Sequence, residues 1–193
     1  MSQRDLTDPR ARTMLAAMPR AVDTHHTEDR LRRFEAIADT GLAHLREEDV
    51  LKELLVRVRD VLEADTATVL LLDNTGQQLV AAASSGLEEE VRQGVRVRVG
   101  EGFAGRVATE LKPYAIEDVN SETVVNPLLW RKGLRGLVGV PLLAEGELLG
   151  ILHVGTLRKR VFDDEEIHWL HLVADRIAVS LRSQLTSSDR NAA

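Results

Sequence analysis

Apolar residues in the first quarter of the chain fall on a helical period. Leu31, Phe34, Ala38, Gly41 and Leu45 recur at alternating steps of three and four, with Ile37 and Leu42 beside them, which predicts an amphipathic helix over 28–46 with a narrow seam. Residues 1–27 have no such period; Pro9, Pro19, scattered charges and His25-His26 read as a flexible arm. A second helical stripe follows in Leu51, Leu54, Leu55, Val58 and Leu62, ending near Asp65.

The period then shortens to that of strands. A β-branched and aliphatic run over 66–72, the turn chemistry of Asp73-Asn74-Thr75-Gly76 and an extended run over 78–84 predict a hairpin. After Gly86 a short acidic helix over 87–93 leads into Val95-Arg96-Val97-Arg98-Val99, whose strict alternation marks a strand with one face in water. A helix from Phe103 is stopped by Lys112-Pro113, a strand covers 113–117, and a long loop over 118–133 holds Asn120, Asn126, Pro127 and Trp130. A second hairpin pairs 137–143 with 147–154 about Glu145-Gly146. The last helix opens on Phe162-Asp163-Asp164-Glu165-Glu166-Ile167, with Asp163 as N-cap, Glu166 completing a capping box and Phe162 stapled onto Ile167. It should run to about Leu185, leaving 186–193 as a polar linker or tail ahead of an output domain.

Gly100-Glu101-Gly102-Phe103-Ala104-Gly105 spells GxGxxG, the spacing that brings backbone close to a pyrophosphate. Its flanks argue against that use. A Rossmann first strand is covered on both faces and continuously apolar, whereas Val95 to Val99 alternates, and the following helix is too short for a parallel crossover. The glycines instead suit a tight strand-to-helix turn and a helix lying close to a sheet.

Composition narrows the classes. The 193 residues, 44% of them hydrophobic, suit one domain with a sizeable core. A net charge of -6 offers no basic face to nucleic acid, and Arg158-Lys159-Arg160 reads as a solvated loop. With no cysteine there are no disulfides, thiolate metal sites or thioether-linked chromophores, and a reducing cytoplasm is the expected location. The longest apolar run near the N-terminus, Met14 to Met18, is too short for a signal core or a membrane span, so no membrane partner is expected. Nothing in the order of residues sets up a Ser-His-Asp triad, a paired-carboxylate site or a metal cage, and His168 and His171 read as a solvated helix face. The expected class is a non-enzymatic regulatory module.

Helix, helix, hairpin, strand, glycine turn, short helix, strand, loop, hairpin and long helix is an order that resembles the GAF domain over 47–185. The residues that carry the resemblance are Ala64-Asp65, Gly86, Val99 to Val107, Ile116-Glu117-Asp118-Val119, Gly139-Val140-Pro141-Leu142, Leu149-Gly150-Ile151-Leu152 and Phe162 to Ile167. The resemblance implies an α+β fold: a six-stranded antiparallel sheet, a bundle of N- and C-terminal helices on one face, and a ligand chamber under short helices and loops on the other. It implies a cytoplasmic sensor that binds a small molecule and signals as a homodimer through its helical bundle. The wording around 128–143 and 153–156 is similar to that of actinobacterial sensors whose fused output is a serine phosphatase or a histidine kinase. The alternative is a dimerisation module with a filled, ligand-free pocket.

The sequence names no cofactor. Haem and bilin are disfavoured, since the loop position where haem-binding relatives place an axial histidine reads Trp130-Arg131-Lys132 and a bilin needs a cysteine. Cyclic nucleotides are disfavoured because Glu166 and Ile167 stand where that branch of the family carries Asp then Glu. The candidate ligand contacts are Phe103, Arg106, Asn126, Trp130 and His153, with no metal ligand. His153 reads either as a buried core histidine or as a ligand contact, and Phe103 and Trp130 either as chamber walls or as core.

Overall fold

The computed structural model describes residues 47–191. The arm over 1–27 and the helix over 28–46 lie outside the described residues. Helix α1, Glu47–Val61, presents Leu54, Leu55, Val58 and the following Leu62 to the core as one buried stripe. It stops where Glu63 takes a left-handed conformation (φ 47°), and the Asp65 amide then donates to the Gly155 carbonyl at 2.8 Å, which hooks the chain onto the sheet.

Ten elements follow: β1 (Thr66–Leu72), β2 (Gln78–Ser85), α2 (Glu89–Arg92), β3 (Arg96–Arg98), α3 (Gly102–Glu110), β4 (Tyr114–Ile116), α4 (Pro127–Arg131), β5 (Gly136–Ala144), β6 (Glu147–Thr156) and α5 (Asp164–Asn191). The six strands form one sheet in the order β3-β2-β1-β6-β5-β4, with every neighbouring pair antiparallel. At the edge, Val97 of β3 is buried while Arg96 and Arg98 face water, as the alternation predicts.

Strand alternation sorts the core into two layers. Ala67, Val69, Val138, Val140, Leu152 and Val154 face α1 and α5, where Leu170, Ala174, Ile177 and Ala178 close the larger cluster. Leu70, Leu137 and Ile151 face the opposite way, toward α3 and the segment leading into α4. Register aligns one rung on that second face: Thr68 of β1 is paired with Ser84 of β2 on one side and with His153 of β6 on the other, and His153 is paired with Gly139 of β5. Polar side chains thus stand in a row across the middle of an apolar surface.

The capping box forms in both directions, the Glu166 amide donating to Asp163 Oδ1 at 2.8 Å and the Asp163 amide to Glu166 Oε2 at 3.0 Å. Arg160 holds the same carboxylate, lies 4.8 Å above the Phe162 ring and donates to the Leu62 carbonyl at 2.8 Å, which ties the start of α5 to the end of α1. The helix does not end near Leu185; it continues to Asn191 through residues expected to be linker. The run from Arg182 to Asn191 contains neither Gly nor Pro, so nothing in it stops a helix already nucleated and packed upstream.

Candidate functional site

The glycine turn builds one wall of the site. Gly100 (φ 89°) and Gly102 (φ 59°) reverse the chain out of β3, and the Gly100 amide donates to the Gly105 carbonyl at 2.9 Å. At Gly105 a methyl group would collide with the Arg98 carbonyl, and at Gly102 it would stand 2.6 Å from Val125 Cγ2. The spacing read as a fingerprint therefore packs α3 against a strand end and a loop.

With α3 so close, Phe103, Ala104, Val107 and Ala108 all point down onto the sheet. The Phe103 ring covers Gly139 and meets Tyr114 at 5.9 Å and the His153 ring edge-on at 6.1 Å between centroids. Over the other half, the long loop is more ordered than its composition suggests. Asn120 Oδ1 accepts from the amides of Glu122 and Thr123, and Asn126 caps α4 with Pro127 as its first residue.

Between these parts lies a cavity of about 10 Å³, walled by Leu70, Val97, Phe103, Ala104 and Leu129, roofed by Val124 and Val125, and reached by Glu90, Asn126 and His153. It has room for about one water molecule. Val125, 52% exposed, is the lining side chain that also meets solvent.

The polar floor is a connected network. Glu90, 1% exposed, reaches in from α2; its Oε1 accepts from Asn126 Nδ2 at 2.6 Å and its Oε2 from Thr68 Oγ1 at 2.6 Å, while Thr68 Oγ1 lies 2.8 Å from Ser84 Oγ. Asn126 Oδ1 is already taken by the Leu128 amide at 3.0 Å, so capping α4 fixes which end of the amide meets Glu90. His153 Nε2 stands 3.9 Å from Glu90 Oε2, beyond hydrogen-bond reach, and Nδ1 has no partner.

Burial dominates both ionisable groups. It pushes the Glu90 carboxyl up to about 7, against the Thr68 and Asn126 donors that favour the anion. It pushes the His153 imidazole down to about 4, so at neutral pH the ring is uncharged and the two do not form an ion pair.

Of the residues expected at the site, Phe103, Asn126 and His153 meet around the cavity. Arg106 and Trp130 do not. Arg106 is exposed, pairs with Glu110 at 2.7 Å and lies 4.1 Å above the Tyr114 ring; Trp130 is 38% exposed under the Arg131 guanidinium. Both sit on helices whose adjacent residues, Val107 and Leu129, take the inward positions. Glu90 and Thr68 are site residues that the sequence pattern does not single out. The signal for Glu90 was its spacing from Leu87, since an i, i+3 pair shares a helix face and Leu87 is buried. Among the described residues no group of three His, Asp or Glu side chains could hold a metal ion.

A six-stranded antiparallel sheet with long helices on one face and a short-helix cap over a small chamber on the other defines an α+β architecture. The chain belongs to the GAF domain family, whose model matches residues 44–182. It is 33% identical over 141 residues to the Nif-specific regulatory protein of Herbaspirillum seropedicae, a stretch that is 68% of this chain and 26% of that protein. Its fold is similar to the GAF domain of a phosphoenolpyruvate-protein phosphotransferase from Coxiella burnetii, with a TM-score of 0.74 and 26% identity over 83% of this chain and 96% of that one. It is similar in fold also to the free methionine-R-sulfoxide reductase of Neisseria meningitidis, at a TM-score of 0.63 and 16% identity over 86% of this chain and 95% of that one.

Proposed function

We propose that the chain is a non-catalytic regulatory module whose chamber takes up a small molecule and whose α1 and α5 helices pass the change to an output domain of a longer protein. The observation that carries this reading is the polar network sealed at the floor of an otherwise apolar chamber, on the face turned away from the long helices. A core needs no such network for stability, and ligand chambers combine apolar walls with a few convergent polar groups. Similarity to a regulatory protein supports the signalling role, with the serine phosphatase or histidine kinase output of the sequence reading as its finer form. Strand β6 offers the link, because His153 faces the chamber while Leu152 and Val154 on either side pack under the helices. No helix among the described residues is long and apolar enough to cross a membrane.

The 193-residue chain, purified from its own host and examined by native mass spectrometry, should carry a small-molecule adduct. Ala104→Leu, which fills the cavity from its wall, should remove it. A wild-type chain without adduct sinks the sensor reading in favour of a module with a filled pocket, which the small cavity volume supports.

Dimerisation belongs to the same reading. Leu172 and Val179 stand exposed one heptad apart on α5, a stripe suited to a second copy. Leu172→Glu with Val179→Glu should shift the chain from dimer to monomer in sedimentation equilibrium, and an unchanged dimer would remove α5 from the interface.

A further inference from the structure

Building on the proposal that the chamber takes up a small molecule, we infer that its ligand carries a primary ammonium head on a short aliphatic body, with Glu90 as counter-charge and His153 as second acceptor. The charge follows from what surrounds Glu90. Its hydrogen-bond partners, Thr68 and Asn126, are both neutral donors, and a carboxylate has lone pairs left after accepting two bonds. The elements packed around it bring Thr68 from β1, Ser84 from β2, Asn126 from the segment before α4 and His153 from β6; α3 brings only Phe103 and Ala104. No Lys or Arg reaches the chamber among the described residues: Arg92, two residues from Glu90, is exposed and pairs with Glu89, and Arg96, Arg98 and Arg106 face solvent. A buried carboxylate without a cation is costly when ionised, and a ligand that brings the cation relieves that cost.

The position of the head follows from the gap. Glu90 Oε2 and His153 Nε2 are 3.9 Å apart, too far to bond each other and well placed for one nitrogen to donate to both. An ammonium has three donors and no acceptor. The neutral imidazole offers an unprotonated nitrogen when its proton sits on Nδ1, the atom that has no partner. The cavity as it stands has room for the head alone; Leu70, Val97, Phe103 and Leu129 border an aliphatic chain once the exposed Val125 moves aside. Carboxylates and phosphates would set like charge against Glu90 with no cation to offset it.

The probe is n-propylammonium chloride, titrated into the 193-residue chain by calorimetry, with sodium butyrate and n-propanol as the anionic and neutral counterparts. Propylammonium should bind saturably, and about tenfold more tightly at pH 8 than at pH 6. Glu90 passes from about a tenth to about nine tenths ionised over that range while the amine stays charged. Glu90→Gln should lose most of the affinity and the pH dependence; should that variant fail to fold, the wild-type pH profile decides alone. Butyrate or propanol binding as tightly as propylammonium, an affinity that does not change between pH 6 and pH 8, or no saturation by propylammonium overturns the inference. The adduct seen by native mass spectrometry is read independently: an adduct without amine binding leaves the chamber reading standing and removes only its charge.

Discussion

Phe103→Ala should lower the unfolding free energy by about 3–5 kcal/mol, the usual range for deleting a buried aromatic ring. The ring is 3% exposed and is the largest side chain that α3 sets on the sheet. It fills the space that Gly139 leaves open, since a methyl group on Gly139 would stand 2.9 Å from its Cζ. It also joins Tyr114 at the sheet edge to His153 at the centre. The ring borders a cavity already present, so its loss enlarges a void whose lining has no partner atoms, which places the cost in the upper part of the range. Urea unfolding followed by circular dichroism would measure it, and a loss under about 1 kcal/mol would mean that α3 is not seated on the sheet through this ring.

The second large effect is in the pH dependence of stability, where two buried groups act in opposite directions. For Glu90 the folded-state pKa is raised from 4.5 to about 7, so its contribution to stability is fully present below pH 4.5 and is lost as pH rises through about 7. For His153 the folded-state pKa is lowered from 6.5 to about 4, so its contribution is present above pH 6.5 and is lost as pH falls through about 4. Each is worth about 3 kcal/mol across its window. Between pH 4.5 and 6.5 the slopes oppose, and the wild-type chain should show little net change from this pair. Removing one partner exposes the other: the Glu90→Gln chain should itself gain stability as pH rises from 4 to 6.5, and the His153→Gln chain should lose it as pH rises from 4.5 to 7. Urea midpoints at four pH values decide the matter. Variant curves that run parallel to the wild type would show that neither group titrates in these windows.

What the sequence made legible was local. Two hairpins, the half-exposed β3 and the capping box at Asp163 each depend on residues within one element or one turn, and all are present. Alternation along β6 sets His153 on the face opposite Leu152 and Val154, which do pack under the helices, but alternation does not separate a core histidine from a ligand contact. Glu90 was hidden because Glu88-Glu89-Glu90 reads as a solvated charge run. What buries it is a partner 36 residues away, in a loop whose short helix the polar composition concealed. Arg106 and Trp130 follow from segment rather than from phase: both lie on the stretch that covers the chamber, but the adjacent Val107 and Leu129 take the inward positions. The extent of α5 was missed for a different reason, since a helix end is written in stop signals and none stands between Arg182 and Asn191.

Asn126 makes the roof and the floor of the chamber interdependent. One amide group holds the first turn of α4 with its oxygen and the Glu90 carboxylate with its nitrogen, so neither bond can be released by moving this residue without straining the other. The residue works as a latch with two bolts on one handle. Aspartate would keep the bolt on α4 and turn the other into a repulsion; leucine would withdraw both. Moving α4 off the chamber therefore also takes a donor from the Glu90 carboxylate, and the covering segment and the floor respond as one unit rather than two.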